Sequence, residues 1–253
     1  MSAALNAAVR WGMICVSPAA AVKLPKVERR EARVLTETEI DWLLSAALSD
    51  VYWVRPLLAV SIATGCRRGE LLALRWSDVH LDAAPPFISI TRSLEQTKVG
   101  LRTKTPKNGK PRRCPLPDLA VEALREHLAK QQQFRDSFGD DYRDDLDVVF
   151  ATPEGAHLKP DSVTAKICLL TKNCKMVSAS LHTMRHSHGS QLLSAGVPLP
   201  TVSKRLGHSS VNVTAAVYAH AFAADELAAA DAWQERFQKL RDQSVTKQPT
   251  QQT

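Results

Sequence analysis

Residues 64–79 read TGCRRGELLALRWSDV and place an arginine between two predicted helices. Gly65 is expected to end the first helix, because glycine readily adopts the left-handed conformation that follows many helices. Arg67 then stands at the start of the second helix, where free backbone N–H groups and the helix dipole also favour anions. The segment therefore predicts a site for an anionic group, with an ordinary surface arginine as the alternative.

A strongly basic segment follows at residues 102–113. Its cations are Arg102, Lys104, Lys107, Lys110, Arg112 and Arg113. Asn108-Gly109 is typical of a tight hairpin turn, so we expect strands on both sides of KNGKPRR at 107–113. A two-stranded ribbon this basic can enter a groove of DNA or lie along its backbone, and a solvated surface is the alternative.

A third segment, LHTMRHSHGSQLL at 181–193, predicts a helix that carries His182 and Arg185 on one face. His182 and His186 also have the spacing of a zinc-binding helix. Thr183, however, occupies the place of the glutamate that such a motif needs, so no metal site is expected. His186 and His188 are interpreted as structural, hydrogen-bonding histidines.

The fourth segment is LGHSSVNVTAAVYAH at 206–220. Gly207 permits a sharp turn that presents His208, and Tyr218 follows on a short predicted helix. Taken alone, a single tyrosine at such a position is also compatible with a half-buried packing residue.

The four segments contain four motifs in a fixed order and spacing: T-G-x-R-x-x-E-L, K-x-x-K-x-R-x-x-P-L, H-x-x-R, and L-G-H followed by Y. Together these motifs resemble the catalytic domain of the tyrosine recombinases, the phage-integrase family. The resemblance covers roughly residues 30–242. It implies a mainly α fold with a small antiparallel β-sheet. It also implies a catalytic set: Arg67, Lys107, His182, Arg185, His208 and the nucleophile Tyr218. The other cations of the basic segment are expected to bind DNA: Arg102, Lys104, Lys110, Arg112 and Arg113.

The same resemblance implies a site-specific recombinase or integrase that cuts and rejoins double-stranded DNA through a 3′-phosphotyrosyl intermediate. Two arginines can fork onto the phosphate oxygens in place of a metal ion, so neither metal nor cofactor is expected. Lys107 is the expected general acid, with Lys104 and Lys110 close enough to leave this alignment open. His182 would assist proton removal from Tyr218, and His208 would hydrogen-bond the phosphate.

Two other functions compete with this one. A type IB topoisomerase shares the active-site logic, and a truncated, non-catalytic DNA-binding remnant is the second rival. The resemblance further implies self-association into a tetramer on DNA, with a monomer or weak association in its absence.

Composition limits the class of protein. The chain has 253 residues and a net charge of +7, which favours a polyanionic partner. Its five cysteines are scattered and odd in number, which favours reduced thiols and a cytoplasmic location. No apolar run reaches the roughly 18 residues that a membrane-spanning helix needs, so no membrane partner is expected.

The chain is expected to divide into four parts. Residues 1–22 resemble the last helix of a core-binding domain, 23–35 a linker, 36–242 the catalytic domain and 243–253 a disordered tail. Thr36 and Glu39 fit a capping box. Helices are predicted at about 37–48, 51–64, 68–75, 118–135, 161–172, 181–194, 199–206, 210–218 and 223–241, and short strands at 87–92 and 148–151.

The last predicted helix carries an apolar stripe: Leu227, Ala230, Trp233, Phe237 and Leu240. The stripe can pack onto its own domain, or it can dock onto a neighbouring protomer, as the resemblance implies.

Overall fold

The computed structural model describes residues 2–22, 33–106, 110–176, 179–222 and 225–245. The chain divides into a unit of residues 1–32 and a unit of residues 33–253. The first unit contains helix α1 (Ser2–Arg10) and a short 3-10 turn (Pro18–Ala21). Most of the predicted linker, residues 23–32, lies outside the described residues.

The second unit begins earlier than predicted. Leu35 is fully buried, and its N–H donates to Ser187 Oγ at 2.7 Å. Residues 33–35 are therefore part of this unit rather than of the linker. Thr36 caps helix α2 (Glu37–Ala46) through the predicted capping box: its Oγ accepts the Glu39 N–H, and the Glu39 carboxylate accepts the Thr36 N–H.

A buried helix lies at the centre of this unit. Helix α3 (Val54–Thr64) is apolar on nearly all sides, which is typical of a helix surrounded by protein. It packs against α5 (Asp118–Phe138) and α7 (Leu181–Ser194). The short helix α4 (Arg68–Leu72) follows α3, and α6 (Pro160–Asn173) precedes α7.

Three further helices complete the order. They are α8 (Leu199–Leu206), α9 (Val211–Phe222) and α10 (Asp225–Val245). Helix α9 is interrupted at Tyr218, whose φ of −112° and ψ of 18° are not helical. Helix α10 continues to Val245, so residues 243–245 are helical and not part of a disordered tail; residues 246–253 lie outside the described part. No described helix is both long and apolar enough to cross a membrane.

The strands form two small antiparallel sheets. One has the order β1 (Val79–His80), β2 (Phe87–Ile90), β5 (Arg112–Pro115). The other is a hairpin of β3 (Ser93–Thr97) and β4 (Gly100–Lys104). The predicted strand at 148–151 has only two isolated β-bridges, one from Val148 to Arg75 and one from Ala151 to His157.

The predicted pairing across residues 107–113 is wrong. β4 pairs with β3 across the two-residue turn Lys98-Val99, and β5 pairs instead with β2. The reason lies in burial: Cys114 of β5 pairs with Ile88 of β2, and both side chains are fully buried in the core. Asn108-Gly109 itself lies outside the described residues.

Candidate active site

A cavity of about 840 Å³ opens between α4, the β3–β4 hairpin and the N-terminal part of α7. Arg67, His182 and Arg185 line it, so the structure brings together three of the predicted catalytic residues. Lys104 and Pro106 also line it. Lys107 lies outside the described residues and follows Pro106 directly in the sequence.

Arg67 is positioned by the turn between α3 and α4, as predicted. Gly65 ends α3 with a φ of +62°, and a Cβ there would lie 2.6 Å from Leu206 Cδ2. Arg67 is the N-cap of α4. Its N–H donates to Glu70 Oε2 at 2.9 Å, its Nη1 to Glu70 Oε1 at 3.0 Å, and its Nη2 to the Gly207 carbonyl at 3.0 Å.

Glu70 links Arg67 to a second arginine. Arg112 donates from Nη2 to Glu70 Oε2 at 2.6 Å and from Nη1 to Oε1 at 3.1 Å. Burial alone would raise the pKa of the Glu70 carboxyl, but the hydrogen bonds and charges of Arg112 and Arg67 lower it overall. Glu70 is therefore a buried carboxylate held by two cations. Sequence reasoning gave it no role, although a glutamate three residues after an N-cap is a recognisable capping signal.

Arg185 is buried, with 5% of its surface exposed. Its Nη1 donates to the Gly65 carbonyl at 2.6 Å and its Nη2 to the Leu206 carbonyl at 2.7 Å. Burial, together with the positive charge of Arg67, lowers the pKa of Arg185 to about 10. The guanidinium remains charged at neutral pH in a site that favours the arrival of an anion.

The two predicted catalytic histidines differ in environment. His182 is exposed at the cavity wall. His208 is half-buried, with Nδ1 2.7 Å from Thr214 Oγ1. Burial and the nearby charges of Arg185 and Arg67 lower the pKa of His208 to about 4. His208 is therefore neutral at pH 7 and can donate one hydrogen bond from its ring.

Tyr218 does not line this cavity. Its side chain is 2% exposed, and its ring meets His186 edge-on with centroids 4.8 Å apart. A Cβ added at Gly189 of α7 would overlap the Tyr218 hydroxyl, so the phenol rests directly on that glycine. Burial raises the pKa of Tyr218.

The structure also separates Tyr218 from His182. Gly189 follows His182 by seven residues on α7, which corresponds to about 10.5 Å along a helix axis. The proton transfer expected between these two side chains is therefore not possible in this arrangement, because the phenol is packed in an apolar pocket two helical turns away.

The predicted DNA-binding cations fall into two groups. Arg102, Lys110 and Arg113 are exposed, and Lys104 is exposed but paired with Glu95. Arg112 is different: its side chain is only 8% exposed and is bound to Glu70. The prediction that Arg112 contacts DNA is therefore wrong, because its guanidinium faces the interior of the site.

His188, predicted to be structural, is buried and accepts a hydrogen bond from Arg205 Nε at 3.0 Å. Burial and the charge of Arg205 lower the pKa of His188 to about 4. Within the described residues, no three His, Cys, Asp or Glu side chains are grouped as metal ligands.

Comparison with known proteins gives consistent matches. Residues 33–225 match the phage integrase family. The chain is 26% identical over 233 residues to a "Tyrosine recombinase XerC-like" protein of Caldanaerobacter subterraneus subsp. tengcongensis, covering 85% of this chain and 59% of that protein. It is 32% identical over 199 residues to an integrase of Streptomyces ambofaciens, covering 75% of this chain and 49% of that protein. The chain thus spans about half to three-fifths of the length of these relatives.

Solved structures show the same fold. The Tn1549 transposon integrase in complex with transposon right-end DNA has a TM-score of 0.72 at 20% identity, covering 93% of this chain and 76% of that one. XerA recombinase has a TM-score of 0.60 at 24% identity, covering 78% of this chain and 62% of that one.

Proposed function

The chain belongs to the phage integrase family, and from this membership we propose that it cuts and rejoins double-stranded DNA at a specific site, for integration or excision of a mobile element. The relatives named above are recombinases and integrases, and one neighbouring structure holds transposon-end DNA. The observation that carries the proposal is the meeting of Arg67 and Arg185, 118 residues apart in sequence, at one open cavity.

The two arginines would bind the scissile phosphate. A guanidinium has five N–H donors, and the side-chain contacts described above occupy two in each arginine. The remaining donors can fork onto the non-bridging oxygens, where they would stabilise the charge of the pentacoordinate transition state. His208, neutral and fixed by Thr214, would add one hydrogen bond to the same phosphate.

Tyr218 would be the nucleophile. Its phenolic oxygen forms a bond to phosphorus, the bond from phosphorus to the 5′-oxygen breaks, and the 5′-hydroxyl leaves with a proton. Lys107 is the proposed donor of that proton. Because the phosphotyrosyl bond keeps the energy of the broken bond, a 5′-hydroxyl can later attack it and rejoin the strand without ATP.

This chemistry requires Tyr218 to leave Gly189. The non-helical backbone at Tyr218 supplies a break in α9 at which the ring can rotate away from α7. The arrangement described here therefore corresponds to a resting state, and the proton of Tyr218 would pass to His182 or to solvent only after the ring has moved into the cavity.

The proposed partners are DNA and further copies of this chain. Trp233, Phe237 and Leu240 of α10 are exposed by 61%, 52% and 54%, which argues against packing of the stripe onto its own domain. Their exposure supports docking of α10 onto a neighbouring protomer in a tetramer on DNA, with a monomer in its absence; the Leu227 side chain lies outside the described ones. Residues 1–22 would be the end of a core-binding domain. The proposed substrate, double-stranded DNA of a mobile element, implies a cytoplasmic location.

The test uses supercoiled plasmids with and without the end sequences of the mobile element that encodes the chain. Wild-type protein should form a covalent protein–DNA product only on the plasmid with the site, and Tyr218→Phe should bind DNA without forming it. Relaxation of both plasmids would indicate a topoisomerase instead. DNA binding without any covalent product would indicate a non-catalytic remnant, and either result would overturn the proposal.

A further inference from the structure

Three successive backbone carbonyls at the end of α8 each accept a hydrogen bond from a different arginine. Arg112 Nε donates to the Arg205 carbonyl at 2.9 Å. Arg185 Nη2 donates to the Leu206 carbonyl at 2.7 Å, and Arg67 Nη2 to the Gly207 carbonyl at 3.0 Å. The last carbonyls of a helix have no partner within the helix and lie at the negative end of its dipole, so they are suitable acceptors for cations.

The carboxylate of Glu70 is a second anchor, and it is shared. Arg67 and Arg112 bind both of its oxygens, and the Glu70 side chain is 1% exposed. Arg112 therefore connects the two anchors, because it holds Glu70 with its Nη atoms and the end of α8 with its Nε. Arg67 contacts the same two anchors from the side of the cavity.

The turn after α8 is shaped around the guanidinium of Arg112. Gly207 has a φ of +66°, and a Cβ at this position would lie 2.8 Å from Arg112 Nη1. A side chain at residue 207 would thus displace either the turn or Arg112. Arg112 is buried, fits against the turn at Gly207 and shares the Glu70 carboxylate with Arg67. Its guanidinium is therefore held in one position inside the site and is not a surface cation.

We propose that Arg112 is a positioning residue for Arg67: it fixes Glu70 and the end of α8, and these fix the orientation of the Arg67 guanidinium toward the phosphate. This inference rests on the proposed function, since it assigns Arg67 to the scissile phosphate. Arg112 itself touches neither DNA nor the reacting atoms.

The test compares single-turnover formation of the covalent product on a nicked suicide duplex for four forms of the full chain: wild type, Arg112→Lys, Arg67→Ala and the double variant. Lysine keeps the charge but cannot span the two anchors, because it lacks the planar fork. Direct loss of a transition-state donor lowers the reaction rate by about 100- to 1,000-fold. The indirect loss in Arg112→Lys should therefore lower the rate by about 10- to 100-fold. In the Arg67→Ala background, Arg112→Lys should slow the reaction by less than about threefold. A residue that acts only through Arg67 has no separate effect once Arg67 is removed.

Two further measurements distinguish the proposal from its rivals. The salt dependence of duplex binding should be the same for Arg112→Met and wild type, because Arg112→Met removes the charge and the loss of a phosphate contact would lower the slope. Arg55→Lys, which alters a different arginine–glutamate pair on α3 and α5, should leave the rate unchanged. Equal losses from Arg112→Lys in both backgrounds, a lower salt slope, or a wild-type rate in Arg112→Lys would each overturn the proposal.

A second variant covers a failure of Arg112→Lys to fold. Arg112→Met combined with Glu70→Gln removes both buried charges at similar volume, a change that many proteins tolerate. Glu70→Gln alone is the matched control, because it also alters an anchor of Arg67. A reaction slower than that of Glu70→Gln, at an unchanged melting temperature, would support the positioning role of Arg112, and a rate equal to that of Glu70→Gln would refute it. If wild-type protein forms no covalent product at all, the proposed function fails first, and the inference fails with it.

Discussion

Replacement of Gly189 by alanine tests the resting place of Tyr218. Gly189 lies inside α7, where alanine is favoured over glycine by about 1 kcal/mol through helix propensity. In this chain, however, the new methyl group would overlap the Tyr218 hydroxyl. The two effects have opposite signs, so the measured sign of the stability change reports whether the ring rests on the glycine.

The magnitude follows from the burial of Tyr218. Full burial of a large side chain contributes about 1.5–3 kcal/mol, and an edge-on aromatic contact such as that with His186 adds about 0.5–1.5 kcal/mol. If the methyl group expels the ring, most of this is lost and about 1 kcal/mol of helix propensity is regained. Gly189→Ala should therefore destabilise the wild-type chain by about 1–3 kcal/mol. In a Tyr218→Ala background, it should stabilise the chain by about 1 kcal/mol.

Urea denaturation of the four proteins measures both values and their difference, which isolates the contact between residues 189 and 218. The reversal of sign is the critical result. If Gly189→Ala stabilises both backgrounds equally, the phenol does not rest on α7, and the resting state described here is wrong. As a second readout, Gly189→Ala should form the covalent product at least as fast as wild type, since its tyrosine has already left the pocket.

Three other predictions follow from the site. The folded pKa of His188, about 4, is below its ordinary value of 6.5, so the unfolded chain binds the proton more readily and stability falls as pH drops from 6.5 toward 4. Between pH 7 and 5 the His188 share of this loss should be about 2 kcal/mol. The loss in His188→Gln should therefore be smaller than in wild type by about that amount, as urea midpoints at the two pH values will show, while His208, whose pKa is also lowered to about 4, contributes equally in both proteins. Lys107→Ala should be rescued by a 5′-bridging phosphorothioate, whose leaving group needs no proton, and rescue of Lys104→Ala instead would transfer the general-acid role to Lys104. Deletion of residues 225–253 should leave circular dichroism consistent with a folded remainder and reduce association on DNA in analytical ultracentrifugation, whereas unfolding would show that α10 completes its own core.

Local signals in the sequence predicted the features that depend on neighbouring residues. Gly65 and Arg67 mark a helix end and a helix start within three residues, and Thr36 with Glu39 forms its capping box within a single turn. These features were confirmed because their stabilising contacts lie within the segment itself. The resemblance to the family also predicts that Arg67 and Arg185 act on one phosphate; the two side chains line one cavity, and their catalytic role stays a prediction.

Features that depend on distant partners were not predictable in this way. The charge run at 102–113 does not reveal that Arg112 turns inward, because its partner Glu70 lies 42 residues earlier. The pairing of β5 with β2 instead of β4 depends on burial of Cys114 in the core. The position of Tyr218 depends on the absence of a side chain at Gly189, on another helix, and no spacing within 206–220 encodes it.

The three carbonyls at the end of α8 have a consequence for the folding of the chain. They join residues separated by 140, 93 and 21 positions, and Arg185 also reaches back 120 residues to Gly65. Contacts of such long sequence separation form late, because the intervening loops must close first. A nascent or partly unfolded chain therefore cannot hold two guanidinium groups over one phosphate. The proposed phosphate site is therefore complete only when the whole domain has closed around α8, and incompletely folded copies of the chain lack it.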